Sequence, residues 1–301
     1  MGRFPDFVQI KEVGPRDGLQ NEKKWISTED KVTWIDMLSE SGVREIEYTS
    51  FVSPKMIPAL SDSRKVGKQI KRNPKVMYSA LVPNRKGLEY ALEAEIDGAS
   101  IFMSASESHN LKNINKTIDA TFPVLHDVVR EAKNADKRVT GYISTVFACP
   151  YEGPISPEQV LKVCDKLLES GVDDLSLGDT IGTAVPTQVE LLLEELLKRY
   201  PKEKLILHFH DTRGMAIANI MTAMHYGINR FDSTVGGLGG CPYAPGAAGN
   251  VATNDVLYLL HGLGINTGIK EKKIQDAGEY IQRKLEKTLP SRSLAYLANA
   301  Q

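Results

Sequence analysis

The chain has 301 residues, 42% of them apolar or aromatic, and its 37 Lys plus Arg stand against 38 Asp plus Glu for a formal net charge of −1. That apolar content excludes a chain left disordered for want of a core. The balanced charge offers no basic excess to nucleic acid or an anionic membrane, so neither is expected as a partner.

Length alone allows two domains of about 150 residues, but a barrel of alternating strands and helices reaches this size as one. Three cysteines, an odd number, make no disulfide framework and fit a reducing, cytoplasmic setting. Arg3, Asp6 and Lys11 interrupt the first residues, so no signal peptide is expected. No apolar run approaches the roughly 18 residues of a membrane span.

In chain order, β-like runs fall at Val8 to Val13, Glu45 to Thr49, Val76 to Leu81, Ala99 to Ser104, Val139 to Val146, Asp174 to Leu177, Leu205 to His210 and Arg230 to Val235. They recur about every 30 residues, the length of one strand–helix unit. The intervening helices carry start and stop signals. Ser27 and Asp30 form a capping pair before Val32, Ile35 and Leu38, and Gly42 follows the end. Ser156, Pro157 and Gln159 supply an N-cap, a first-turn proline and a capping-box partner, and Gly171 stops that helix. Val189, Leu192, Leu193, Leu196 and Leu197 make a further apolar stripe, and Cys164 lies on another. Leu205, Ile206 and Leu207 are consecutive apolar residues, as a parallel strand buried on both faces requires.

Eight such units predict an α/β protein, a (β/α)8 TIM barrel forming a single domain over residues 1–301. Helices at Asn254 to Gly262 and Lys270 to Leu289 then close it. The rival, a doubly wound open sheet, usually shows a GxGxxG turn after its first strand, and GPRDGLQNE lacks one. The tail from Ser291 is read as closing the bottom of the barrel or forming an oligomer contact.

Active sites of such barrels form where the strands end, which selects polar residues at those ends. Arg16 and Asp17 follow the first strand and offer a fixed positive charge and a hard oxygen ligand, although PRDG is also an ordinary turn sequence. Glu47 shares a face with Glu45, and an inward carboxylate needs a partner, for which Arg16 is the natural candidate. Asp179, in SLGDTIG, is read either as support for a histidine or as a helix cap. His208 and His210, two apart on a strand, point to one side and suit a metal ion, or else are satisfied core histidines. Last comes GGLGGCPYAPGAAGN, whose six glycines and two prolines in fifteen residues exclude helix and strand. That loop lies over the mouth and carries Cys241 and Asn250; a thiol there can move a proton inside a closed site. Together Asp17, His208, His210 and Asn250 supply two oxygens and two nitrogens around one mouth. That set suits octahedral Mg²⁺ or Mn²⁺ with two positions left for substrate, whereas a closed four-ligand zinc site leaves no room for chemistry.

The segments EVGPRDGLQNE, TSFVSPKMIPALSD, HFHDTRGMA and GGLGGCPYAPGAAGNVAT resemble the 3-hydroxy-3-methylglutaryl-CoA lyase family, within a wider superfamily of metal-dependent barrel lyases and synthases. The resemblance runs over nearly the whole chain. It implies a (β/α)8 barrel that cleaves 3-hydroxy-3-methylglutaryl-CoA to acetoacetate and acetyl-CoA with one divalent cation. It implies Asp17, His208, His210 and Asn250 as metal ligands, Cys241 and Arg16 as catalytic, and Glu47 and Asp179 as further active-site acids. It also implies a bacterial-type, cytoplasmic homodimer. Asp17, His208 and Cys241 are all open as the base for the hydroxyl proton. Lys23, Lys24, Lys65, Lys68, Lys71 and Arg72 are candidates for the CoA phosphates, or simply solvated. The rival readings are a Claisen-type synthase joining acetyl-CoA to a 2-oxo acid, and a silent metal- or CoA-binding protein.

Overall fold

The expected runs become strands β1 (Gln9–Glu12), β2 (Glu45–Ser50), β3 (Met77–Leu81), β4 (Gly98–Ser104), β5 (Arg138–Ser144), β6 (Asp174–Asp179), β7 (Leu205–Phe209) and β8 (Arg230–Ser233) in a computed structural model that describes residues 4–240 and 249–299. All pair in parallel, and β8 closes on β1, so the sheet is a barrel with no open edge. Between and after the strands lie α1 (Thr28–Ser39), α2 (Ser63–Gln69), α3 (Arg85–Glu93), α4 (Glu107–Ile114), α5 (Ile118–Asn134), α6 (Pro157–Glu169), α7 (Pro186–Leu196), α8 (Ala216–His225), α9 (Thr253–Gly262), α10 (Glu271–Leu285) and α11 (Arg292–Asn299). The fold is the (β/α)8 barrel expected from strand spacing.

Local chemistry sets the element ends. The Ser27 and Ser156 side chains accept the Asp30 and Gln159 amides, each satisfying one of the donors that a helix start leaves unpaired. Gly42 turns with φ of +100°, and a Cβ there would come within 2.2 Å of the Gly268 carbonyl. Only glycine lets α1 leave so close to the segment before α10. β1 stops before Val13 because the Val13 carbonyl accepts the Asp17 amide at 2.7 Å, which starts a wide turn. α10 ends earlier than expected, at a left-handed Glu286 with φ of 54°.

The helix faces bury against the sheet as their spacing requires. Val189, Leu192, Leu193 and Leu196 are buried, as are Leu205, Ile206 and Leu207 on β7. Among the described residues no helix is long and apolar enough to cross a membrane. The expectation that the tail closes the barrel bottom does not hold. α11 packs near the opposite end: the Ser291 amide donates to Gly236 O, just after β8. Asp255, in the first turn of α9, accepts from Ser291 Oγ and the Ser293 amide at 2.8 Å each. Leu294 fills the space left beside Gly236 and Gly278, which carry no side chains to exclude it.

Candidate active site and metal centre

The turn after β1 brings Arg16 and Asp17 over the barrel mouth. Asp17 N, Arg16 N and Gly18 N all reach the Val13 carbonyl, so the PRDG segment is wider than a type I turn. Two strands away, beyond β8, His208 and His210 come off the end of β7 with ring centroids 5.3 Å apart. Phe209 points the other way and stacks on Phe147 at 6.2 Å, as strand alternation dictates. Ligand atoms of Asp17, His208 and His210 all lie within 4.8 Å of one another.

Asn250 joins them through the backbone. After the glycine loop the chain returns along β7 and β8, with a bridge between His210 and Asn250 and a Val251 amide on Phe209 O. Gly239, with φ of +103°, makes room: a Cβ there would lie 2.7 Å from Asn250 Nδ2. Asn250 Nδ2 donates to Asp17 Oδ2 at 2.8 Å and to Leu238 O at 3.2 Å, which fixes the amide's orientation. Its Oδ1 is buried with no hydrogen-bond partner among the described residues. An idle buried acceptor is costly unless something absent here satisfies it.

Electrostatics agree with a cation. Arg16 beside Asp17 outweighs the burial that opposes its charge and holds the Asp17 carboxyl at about 2. Burial, then the neighbouring His208, pushes His210 down to about 4, so its ring is neutral near pH 7 and able to ligate. His208 Nδ1 lies 3.2 Å from Asp232 Oδ2, which leaves Nε2 for the site, 3.9 Å from Asp17 Oδ2. This is the carboxylate–histidine arrangement that orients metal-bound imidazoles. Asp17 and Asp232 bring carboxylates to the two histidines, while Asp17 and Glu47 share the Arg16 cation.

Below the cluster Arg16 is clamped. Its Nε bonds Glu47 Oε2 and its Nη1 bonds Asp17 Oδ1. Among the described residues no hydrogen bond uses Nη2. Arg16, Asp17, Tyr142, His208 and His210 line one cavity of about 420 Å³. Asp179, at the end of β6, spends its oxygens on the amides of Thr183 and Ala184, so its contacts are to the loop before α7. Burial, only partly offset by those bonds, raises it to about 6. Cys241 lies outside the described residues. Of the candidate phosphate contacts, Lys24 follows the β1 turn and pairs with Glu286. Arg72 lies beside Asp97, just before β4, at the opposite end of the barrel from the mouth.

Sequence reasoning passed over Asp232, Lys11, Tyr142 and Gln20. Gln20 Nε2 donates to Asp17 Oδ1 at 2.7 Å. Asp232 was open to the argument that flagged Glu47, a charged residue inside a β-like run. The Glu12 carboxylate also escaped notice. It accepts from the Gly14 and Val235 amides and from Thr253 Oγ1, tying β1 to the segment after β8, and burial raises it to about 7.

A family model described as HMGL-like matches residues 7–281. The chain is 54% identical over 291 residues to a hydroxymethylglutaryl-CoA lyase of Bacillus subtilis, covering 97% of each chain. A crystal structure of the Bacillus subtilis HMG-CoA lyase aligns with a TM-score of 0.98 at 53% identity, over 99% of this chain and 100% of that one. A structure from Acinetobacter baumannii, described as an HMG-CoA lyase in complex with coenzyme A and 3-methylmalate, aligns with a TM-score of 0.92 at 38% identity, over 100% and 97% of the two chains.

Proposed function

Because the chain belongs to the HMGL-like family, we propose that it is a lyase cleaving 3-hydroxy-3-methylglutaryl-CoA to acetoacetate and acetyl-CoA, with one Mg²⁺ or Mn²⁺ held by Asp17, His208, His210 and Asn250. The observation that carries the metal assignment is the idle, buried Asn250 Oδ1 beside three clustered ligand residues. When bound, such a cation supplies Lewis acidity that lowers the pKa of a substrate hydroxyl.

The chain's own residues then do the following. The substrate hydroxyl gives its proton to one of Asp17, His208 or Cys241, the bond between the carbinol carbon and the thioester arm breaks, and its electron pair passes into the thioester as an enolate; the base's proton afterwards restores the Cys241 thiol. Arg16, fixed by Glu47 and Asp17 with Nη2 uncommitted, offers a preorganised donor to that developing charge. Cys241 gives a proton to the enolate carbon and completes acetyl-CoA. Asp232 holds the His208 ring, and Asp179 shapes the loop after β6. The acyl-CoA enters at the mouth, and Lys23 and Lys24, in the segment after the β1 turn, are candidates for its phosphates. A cytoplasmic homodimer belongs to the same reading and is tested by molar mass in solution.

The test is acetoacetate release from 3-hydroxy-3-methylglutaryl-CoA with Mg²⁺, beside a chelated control. Metal-dependent release is expected. No release from folded, metal-loaded protein would reject the substrate.

A further inference from the structure

Two buried cations, Lys11 and Arg16, stand within reach of one carboxylate, Glu47. Arg16 Nε bonds Glu47 Oε2. Lys11 Nζ lies 3.8 Å from Glu47 Oε1, which has no hydrogen-bond partner among the described residues. What keeps the ammonium from closing that gap is Glu45. Lys11 and Glu45 are direct neighbours in the β1–β2 register, and Nζ sits 2.8 Å from Glu45 Oε1 as an ion pair without hydrogen-bond geometry. Ser79 Oγ, on the next strand, also donates to Glu45 Oε1, at 3.3 Å. Lys11 is 2% exposed and Glu45 1%, so bulk water does not screen the pair.

We propose that Glu45 is a positioning residue for the cleavage: it holds the Lys11 ammonium off Glu47 and so leaves Glu47 to Arg16. The inference rests on the assignment of Arg16 to the developing enolate. Lys11 has a flexible four-carbon stem and is free to pair with either carboxylate. Without Glu45 the charge nearest to it is Glu47. Lys11 then closes on the idle Glu47 Oε1, turning the carboxylate so that Oε2 leaves its place against Arg16 Nε. A guanidinium displaced by about 1 Å misses the developing charge, a loss that runs to tens of fold in rate. The same geometry makes Lys11 dispensable for turnover, because removing it takes away the competitor and leaves the Arg16–Glu47 contact intact.

The test is therefore an asymmetry. Glu45→Val, Lys11→Val and the double variant are compared in kcat, KM and thermal midpoint, with rates taken well below each midpoint. Expected are a fall in kcat of about tenfold or more for Glu45→Val with KM within about twofold, and near-parent kcat for Lys11→Val and for the double variant. A merely structural pair lowers both single-variant midpoints and leaves kcat of the folded protein alike in the two. Equal kcat in the single variants, or no rescue in the double, would overturn the proposal. Glu45→Gln replaces Glu45→Val, under the same criteria, if the valine variant does not fold. A crystal structure of the position-45 variant gives a reading independent of activity. Lys11 Nζ within hydrogen-bond distance of Glu47 with the Arg16 guanidinium displaced supports the inference, and Nζ still off Glu47, or Arg16 unmoved, overturns it. Should the parent itself fail to cleave the thioester, the assigned reaction falls while this structural criterion still decides the role of Glu45.

Discussion

Arg16 commits Nε and Nη1 to carboxylates, and nothing among the described residues uses Nη2. Arg16→Ala removes a donor held ready for the enolate, and kcat is expected to fall about 10²- to 10³-fold, some 3–4 kcal/mol. Steady-state kinetics at saturating metal check this, and an unchanged kcat would take Arg16 out of the reaction. His210→Ala removes one of the three clustered ligand residues. Metal analysis after gel filtration is expected to show far less than one equivalent bound; full occupancy would break the ligand assignment. These two residues were legible in the sequence because each sits beside its partner along the chain, Arg16 next to Asp17 and His210 two from His208. Asp232 is legible only as a charged residue inside a β-like run; its partner is not, because the β7–β8 pairing alone sets it against His208. Lys11 and Glu45 likewise meet only through the β1–β2 register.

Strand spacing and capping residues make most of the elements legible in the sequence. The ends of β1 and α10 were harder to read, because a carbonyl recruited by a turn and a left-handed Glu286 leave no periodic signal. The position of α11 was harder still. It depends on Asp255 and on space beside two glycines distant in sequence. At this scale caps and tight glycines differ in cost. Ser156→Ala loses one cap bond and is expected to destabilise by about 1 kcal/mol. Gly42→Ala meets both a left-handed φ and the Gly268 carbonyl, so it is expected to cost more. Urea denaturation of the two variants ranks them, and the reverse order would contradict this account of the α1 exit.

Closing the barrel puts charge where other barrels pack aliphatic side chains, and stability then depends on pH. Glu12 joins β1 to the segment after β8 with its carboxyl raised from 4.5 to about 7. Its contribution is complete below about pH 4.5 and is lost as pH rises through about 7, a loss of about 3 kcal/mol. Glu12→Gln keeps an oxygen for the Gly14 and Val235 amides and cannot ionise. Its unfolding free energy relative to the parent is expected to rise between pH 5 and pH 8, as measured by urea titration at each pH. A difference independent of pH would mean that Glu12 is not the titrating group.

The idle Asn250 Oδ1 beside Asp17, His208 and His210 marks the place of a divalent ion, and on that ion the assigned cleavage depends. The measurement is to strip the protein with chelator, return Mn²⁺ in steps, and follow bound metal and acetoacetate release in the same samples. The account predicts negligible release from the stripped protein, and release that rises with occupancy to a plateau at one ion per chain. Full release from stripped protein, or a plateau of bound metal with no acetoacetate, would contradict it.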